Sequence, residues 1–512
     1  MTDMTEMTTD KLLESVKNKL AETELLIRAN KAISIDMMTC CPKKGIKSAA
    51  EVTEMLGGMI FSALREKDLT DEVEQLYLRR NELGTRDRAM SEMLYTMRMR
   101  EKNITPEQNK ENISAKNSAW ECWLNAKEKK DFTLFAPALS ALVKSEKERV
   151  MSWEPMSEEQ RKMPAYDRMI SEFERGMTPE RIDTLFDESR ARITALLRRI
   201  ADSSRSIRTD FLSRRVTREQ QQRLSHYLLG LMGFDGSRGT LAESEHPFTE
   251  QINRNDVRVT THYYDDSFIS NFYTILHEGG HALFGQMLPD EDHDCFISDN
   301  MTMGMHESVS RFYENIIGRS RPFIKLVYPE LCEIFPQVFG DVTERELYEA
   351  VNRAEPSLIR TEADELTYTL HIIIRYEIEK MLIDGKIKTE DIPRVWNEKY
   401  REYLGVVPEN DAEGALQDSH WSSDFGYFPT YALGNFYNSM YHNAMKKAFD
   451  VDEAVANGDL ARINGWMREH VFAKADILDA DEWIRDITGE ELTASYFLEY
   501  LERKYSGIYG LK

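Results

Sequence analysis

The stretch Ser270-Asn-Phe-Tyr-Thr-Ile-Leu-His277-Glu278-Gly279-Gly280-His281-Ala-Leu-Phe284 decides how the rest of the chain is read. Phe272, Tyr273, Ile275 and Leu276 precede the two histidines and Ala282, Leu283 and Phe284 follow them, so the segment is apolar on most sides and is expected to form a buried helix. On a helix His277 and His281 lie one turn apart on one face, where both imidazoles reach one ion and Glu278 projects toward a water held there. With 11 His and 89 acidic residues among 512, His-acid-x-x-His arises by accident in about 4 of 100 such chains. The glycines count against accident, since each costs roughly 1 kcal/mol in a helix interior relative to alanine. Some other part of the chain is expected to approach that backbone closely.

A catalytic zinc site takes three protein ligands and leaves a position for water, so a third donor should follow downstream. Met305-His306-Glu307-Ser308 offers two candidates. The run from Ser308 to Ile317 reads as a second helix, with Glu307 in its first turn and Glu314 on the same face. Spacing leaves both His306 and Glu307 open as the third ligand.

Together with His277-Glu-Gly-Gly-His281, the run His306-Glu307-Ser308 with Glu314-Asn315 resembles the carboxypeptidase Taq family of metallocarboxypeptidases. Four more segments agree: His246-Pro-Phe248, Asp256-Val-Arg-Val-Thr260, Ile359-Arg-Thr-Glu-Ala-Asp364 continuing to His371, and Gly414-Ala-Leu-Gln-Asp-Ser-His-Trp421 leading into Gly426-Tyr-Phe-Pro-Thr-Tyr431. The motifs cover about residues 240 to 440; the first 230 match only in helical character. The resemblance implies Glu307 as third ligand, a large helical metallopeptidase fold with a small β element lining a deep groove, a homodimer, and broad tolerance for the C-terminal side chain. It also places His246, His420 and Tyr431 with Glu278 as catalytic candidates.

Each segment has its own physical reading. In Asp256-Val-Arg-Val-Thr-Thr261 alternation puts Val257, Val259 and Thr261 on one side of a strand and Asp256, Arg258 and Thr260 on the other. The polar side suits a substrate groove; an exposed edge strand explains it equally well. Arg360, Asp364, Thr367, His371 and Arg375 fall on one stripe of an expected helix. Leu366, Leu370 and Ile373 lie toward another side. Intrahelical ion pairs facing solvent are the competing account. An enzyme that removes C-terminal residues must hold a free carboxylate, which arginine does through two parallel hydrogen bonds. Arg258 and Arg360 are the candidates. The glycines and aromatics of residues 414–431 indicate a structured loop, from which His420, Tyr427 and Tyr431 could serve the developing oxyanion or the substrate; packing alone also accounts for them.

Pro 15 and Gly 25 are low for the length, so a mostly α fold with long helices is expected. Amphipathic segments recur over residues 56–83, 134–151 and 182–200, with breaks near 102–118, 202–217 and 233–246. The last divides an N-terminal helical region, 1–235, from a catalytic region, 236–512, of one continuous fold. The net charge of −23 argues against nucleic acid as a partner. Cys40, Cys41, Cys122, Cys295 and Cys332 show no framework spacing. No signal-peptide pattern and no apolar run of membrane length is present, so a cytoplasmic protein is expected.

The resulting expectation is metal-assisted hydrolysis of peptides with a free C-terminus, with His277, His281 and Glu307 holding one divalent ion and Glu278 as general base. Zinc is the default for this donor set and cobalt the alternative. An oligopeptide endopeptidase would share the metal site but need no carboxylate-binding arginine. A non-catalytic helical protein with a structural metal would have no use for Glu278.

Overall fold

The structure, a computed structural model of the chain, describes residues 7–289 and 300–511. Cys295 lies outside the described residues; Cys40, Cys41, Cys122 and Cys332 are free thiols. Helices dominate, as the scarcity of breakers implies. They open with α1 (Thr9–Thr39) and α2 (Ile46–Leu64), which pack against each other at the N-terminal end. Helix starts are written locally: Thr105, Thr217 and Thr343 each form a reciprocal capping box with the residue three positions on. The expected break over 102–118 is largely a helix, Pro106–Lys129. Thr105-Pro106 marks its first turn, where proline loses no intrahelical bond.

Three strands, β1 (Gly239–Glu243), β2 (Thr249–Asn253) and β3 (Asp256–Thr261), form a sheet in the order β1-β3-β2. β1 runs parallel to β3, with Leu241 opposite Val259. β2 runs antiparallel to β3, with Glu250 opposite Arg258. The alternation holds on the apolar side, where Val257 and Val259 are fully buried. On the other side Thr260 is buried as well, its hydroxyl receiving the Phe248 amide and the Ser244 hydroxyl at 2.8 Å each.

The sheet packs on α3 (Phe268–Met287), the expected metal-motif helix, which is buried along most of its length. Beside α3 stands α4 (Met303–Arg311); α6 (Pro429–Ala448) packs on α4, and α5 (Glu365–Ile383) packs on α6. One hydrophobic core runs from Ala119 to Tyr509 and so crosses position 235/236. A smaller cluster joins Leu12, Val16 and Leu20 of α1 to Leu69, Val73 and Leu94.

Candidate active site

The glycines of α3 are explained by what lies against them. A Cβ on Gly279 would sit 2.8 Å from Met232 Cε, and one on Gly280 would sit 2.8 Å from Ser310 Cα. The second contact is with backbone, so α3 and α4 approach more closely than any side chain at position 280 permits. That approach brings Glu307 of α4 to the histidines: its Oε2 is 3.7 Å from His277 Nε2 and 3.8 Å from His281 Nε2. The three ligand atoms lie within 4.8 Å of one another. His306, the competitor by spacing, turns elsewhere; its Nδ1 is 2.6 Å from His281 Nδ1.

Helix α4 begins at Met303 with Thr302 as its cap, earlier than the expected start at Ser308, so Glu307 falls in the second turn. After Arg311 the helix widens into a π-turn over Phe312–Ile317, a form frequent at functional sites. Glu314, inside this turn, accepts a hydrogen bond from His277 Nδ1 at 2.9 Å. Arg311 and Arg319 stand 3.7 and 3.8 Å from its carboxylate.

The donor set fits a divalent cation. Burial works against the charge on His277, yet Glu307 and Glu314 outweigh it and lift this imidazole to about 9. Burial and the neighbouring His306 and His277 push His281 well down, keeping it neutral as a ligand must be. Burial raises both Glu307 and Glu278 above the usual carboxylate range. Glu314 is the exception: burial would raise it, but Arg311 and His277 hold it at about 2. The carboxylates of Glu307 and Glu314 favour a positive charge at His277, and a cation between His277, His281 and Glu307 would supply it in place of the proton. With Nδ1 of His277 committed to Glu314, its Nε2 is left for the ion.

Glu278 points at the sheet. The Thr249 hydroxyl is 2.8 Å from Glu278 Oε2 and 2.9 Å from its backbone oxygen. The β element therefore lines the site through its outer strand. Thr249 carried no chemical signal in the sequence beyond its proximity to His246-Pro-Phe248.

The remaining candidates separate into two groups. Arg360 is not on the helix of its stripe; it sits in a 3-10 turn, and Asp364 caps α5 by accepting from the amides of Leu366 and Thr367. The stripe is not solvent-facing either, since Thr367, His371 and Arg375 are fully buried. Asp418 receives Arg360 Nε at 3.1 Å and Arg375 Nε at 2.5 Å. The Arg360 guanidinium lies over the Tyr431 ring at 5.0 Å. Tyr431 falls in the first turn of α6, correcting the expectation of a loop through residue 431, because Pro429 starts that helix. His420 Nε2 is 3.3 Å from the Tyr431 hydroxyl, and Tyr427 stacks edgewise on Tyr431 with centroids 5.2 Å apart. Burial, with Arg360 and Arg375 adding to it, lowers His420 to about 4. Tyr427 and Tyr431 both feel the Glu307 charge, which ties this cluster to the three candidate ligands.

Arg258 and His246 lie apart from that cluster. Arg258 is held by Asp256 on its own strand at 2.8 and 2.9 Å, on the side away from α3. His246 is exposed in the turn between β1 and β2, three residues before Thr249. Asp418 and Arg375 were not singled out from the sequence as site residues, although Asp418 lies inside a quoted segment.

The profile of the carboxypeptidase Taq (M32) metallopeptidases matches residues 15–505. Carboxypeptidase 1 of Bacillus subtilis is 37% identical over 478 residues, covering 93% of this chain and 94% of that protein. Thermostable carboxypeptidase 1 of Thermus thermophilus is 34% identical over 513 residues, covering 98% of this chain and all of the other, 100%. The crystal structure of the M32 carboxypeptidase from Deinococcus radiodurans superposes with a TM-score of 0.92 at 29% identity, over 98% of this chain and 100% of that one.

Proposed function

Because the chain belongs to the carboxypeptidase Taq (M32) metallopeptidase family and is a metallocarboxypeptidase, a peptide hydrolase, we propose that His277, His281 and Glu307 hold its divalent ion and that Glu278 is its general base. The observation that carries this is the meeting of three ligand atoms from α3 and α4 within 4.8 Å, with Glu278 on the same helix. When bound, the ion acidifies water and polarises the scissile carbonyl; zinc is the expected metal and cobalt the alternative.

Glu278 accepts the proton of the attacking water and returns it to the leaving amine. The Thr249 hydroxyl at 2.8 Å orients one of its oxygens, and the raised affinity for a proton that burial confers suits an acid–base shuttle. His420, kept neutral, and the Tyr431 hydroxyl are the donors we assign to the oxyanion. Arg360 is our choice for the substrate carboxylate. Two buried arginines, Arg360 and Arg375, share the single carboxylate of Asp418, so the cluster carries one net positive charge that a C-terminus would balance. Arg258 is already matched one-to-one by Asp256. Tyr427 packs beside the bound residue, and His246 approaches the substrate from the turn before Thr249.

We further propose a homodimer and a cytoplasmic location. Val52, Met55 and Met59 of α2 are 40%, 58% and 47% exposed and share one side of the helix, an apolar surface that a second copy would cover. The four described cysteines are free, which suits a reducing compartment. Among the described residues no helix is long and apolar enough to cross a membrane. The test of function is amino-acid release from a short unblocked peptide and its C-terminally amidated twin, with zinc or cobalt added. Sequential loss from the free end, stopped by amidation, is expected; internal cleavage of both peptides would sink the assignment of Arg360.

A further inference from the structure

Glu174 is a fully buried carboxylate with no part in the chemistry above. It follows the short helix Ala165–Phe173 and reaches the start of α4. The Thr302 hydroxyl donates to Oε1 at 2.8 Å, the Gly304 amide donates to Oε2 at 2.8 Å, and the Tyr437 hydroxyl, from α6, donates to Oε1 at 2.8 Å. Position 304 has no room for a side chain, since a Cβ there would lie 2.7 Å from Glu174 Oε2. A negative charge at this place also complements the positive end of α4.

The same carboxylate ties α4 to α6. The two helices are in backbone contact, where a Cβ on Gly434 would lie 3.2 Å from the Glu307 carbonyl carbon. The Tyr441 hydroxyl donates to the Ser308 carbonyl at 2.8 Å. Glu174 thus closes the N-terminal end of a junction whose next turn carries Glu307. We propose that Glu174 is a positioning residue of the metal site: its ionised carboxylate sets the register of α4 and thereby the place of Glu307. This rests on the reading of Glu307 as a ligand.

Among the described residues, few charged and titratable groups face Glu174. Arg175 acts on it through space from the adjacent position, and Tyr437, itself pushed well up by burial and by Glu174, has Arg181 beyond it. Burial raises Glu174 to about 7 against the pull of its three donors. Protonation takes one oxygen from its donors, Oε2 from the Gly304 amide or Oε1 from the Thr302 and Tyr437 hydroxyls, so the register of α4 loosens as pH falls through this range.

The experiment uses the full chain, with zinc affinity measured by chelator competition and kcat and KM measured on an unblocked peptide from pH 6 to 9. Glu174→Gln is expected to weaken zinc binding and lower kcat by about tenfold each at pH 8, with KM changed less than about twofold. Tyr437→Phe, which removes one donor, is expected to move the acid limb of kcat to higher pH and leave zinc affinity at pH 9 unchanged. Zinc affinity and kcat within about twofold of the parent in Glu174→Gln would overturn the proposal, even with a lowered melting temperature. If that variant does not fold, an unmoved acid limb in Tyr437→Phe overturns it. Glu307→Ala separates this outcome from failure of the ligand reading, because retention of zinc there refutes the ligand and not the clamp.

Discussion

Glu278 can lose its charge without losing its place, since Thr249 Oγ1 can bond an amide oxygen as it does the carboxylate. Glu278→Gln is therefore expected to bind metal as the parent does while kcat falls by about two to four orders of magnitude; loss of metal in parallel would assign Glu278 a ligand role instead. Arg360 and Arg258 separate by kinetics. Arg360→Lys gives up the bidentate fork and should raise KM for free C-termini by about tenfold or more, while Arg258→Lys, at a position paired with Asp256, should change it little. Glu314→Gln removes the charge that orients His277 Nδ1, and a fall in metal affinity of about 10–100-fold is expected.

At the scale of elements, the site depends on the crossing of α3 with α4. Gly280→Ala would press a methyl group against Ser310 Cα and the Val309 carbonyl, backbone that cannot swing aside as a side chain can. Overpacking of this kind costs about 1–3 kcal/mol, and here it pushes Glu307 away from both histidines. Urea midpoint and metal affinity should fall together in Gly280→Ala; a stability loss with unchanged metal affinity would show that the two helices yield elsewhere. The π-turn belongs to the same scale. It shifts Glu314 off a regular helical path just after the contact with Gly280, and its local sequence, Phe312-Tyr-Glu-Asn-Ile-Ile317, reads as ordinary helix.

For the molecule as a whole, buried acids set the pH response. Glu379 of α5 is fully buried and receives the Tyr166 hydroxyl at 2.7 Å and the Gly426 amide at 2.9 Å. Gly426 is required there, because its φ is +88° and a Cβ would lie 2.6 Å from the backbone carbon of Met169. Burial raises Glu379 to about 8, above its unfolded value. Its contribution to stability is therefore complete below about pH 4.5 and is lost as pH rises through 8, a change on the order of 4 kcal/mol. The melting temperature should fall between pH 6 and 9, and Glu379→Gln should flatten that fall; an equally steep fall in the variant would place the titration elsewhere. Assembly is tested at this scale too: Met55→Glu with Met59→Glu should convert the proposed dimer to monomer in sedimentation, and no change would clear that side of α2 of the role.

What depends on short-range periodicity was legible in the chain alone. His277 and His281 share a face because a helix repeats every 3.6 residues, and the mostly α class follows from long apolar periodicities with few breakers. The order of residues also placed Glu307 and Glu314 on one run, with resemblance rather than spacing choosing Glu307 over His306. The partners of those residues were settled by the folded arrangement instead. Thr249 meets Glu278 across 29 positions, Arg375 meets Asp418 across 43, and Tyr437 meets Glu174 across 263. Such pairings arise from how helices cross and how closely glycine lets them approach. A polar side chain at one position does not state which distant group will satisfy it, and burial, which forces each of these groups to find a partner, exists only after the chain has folded.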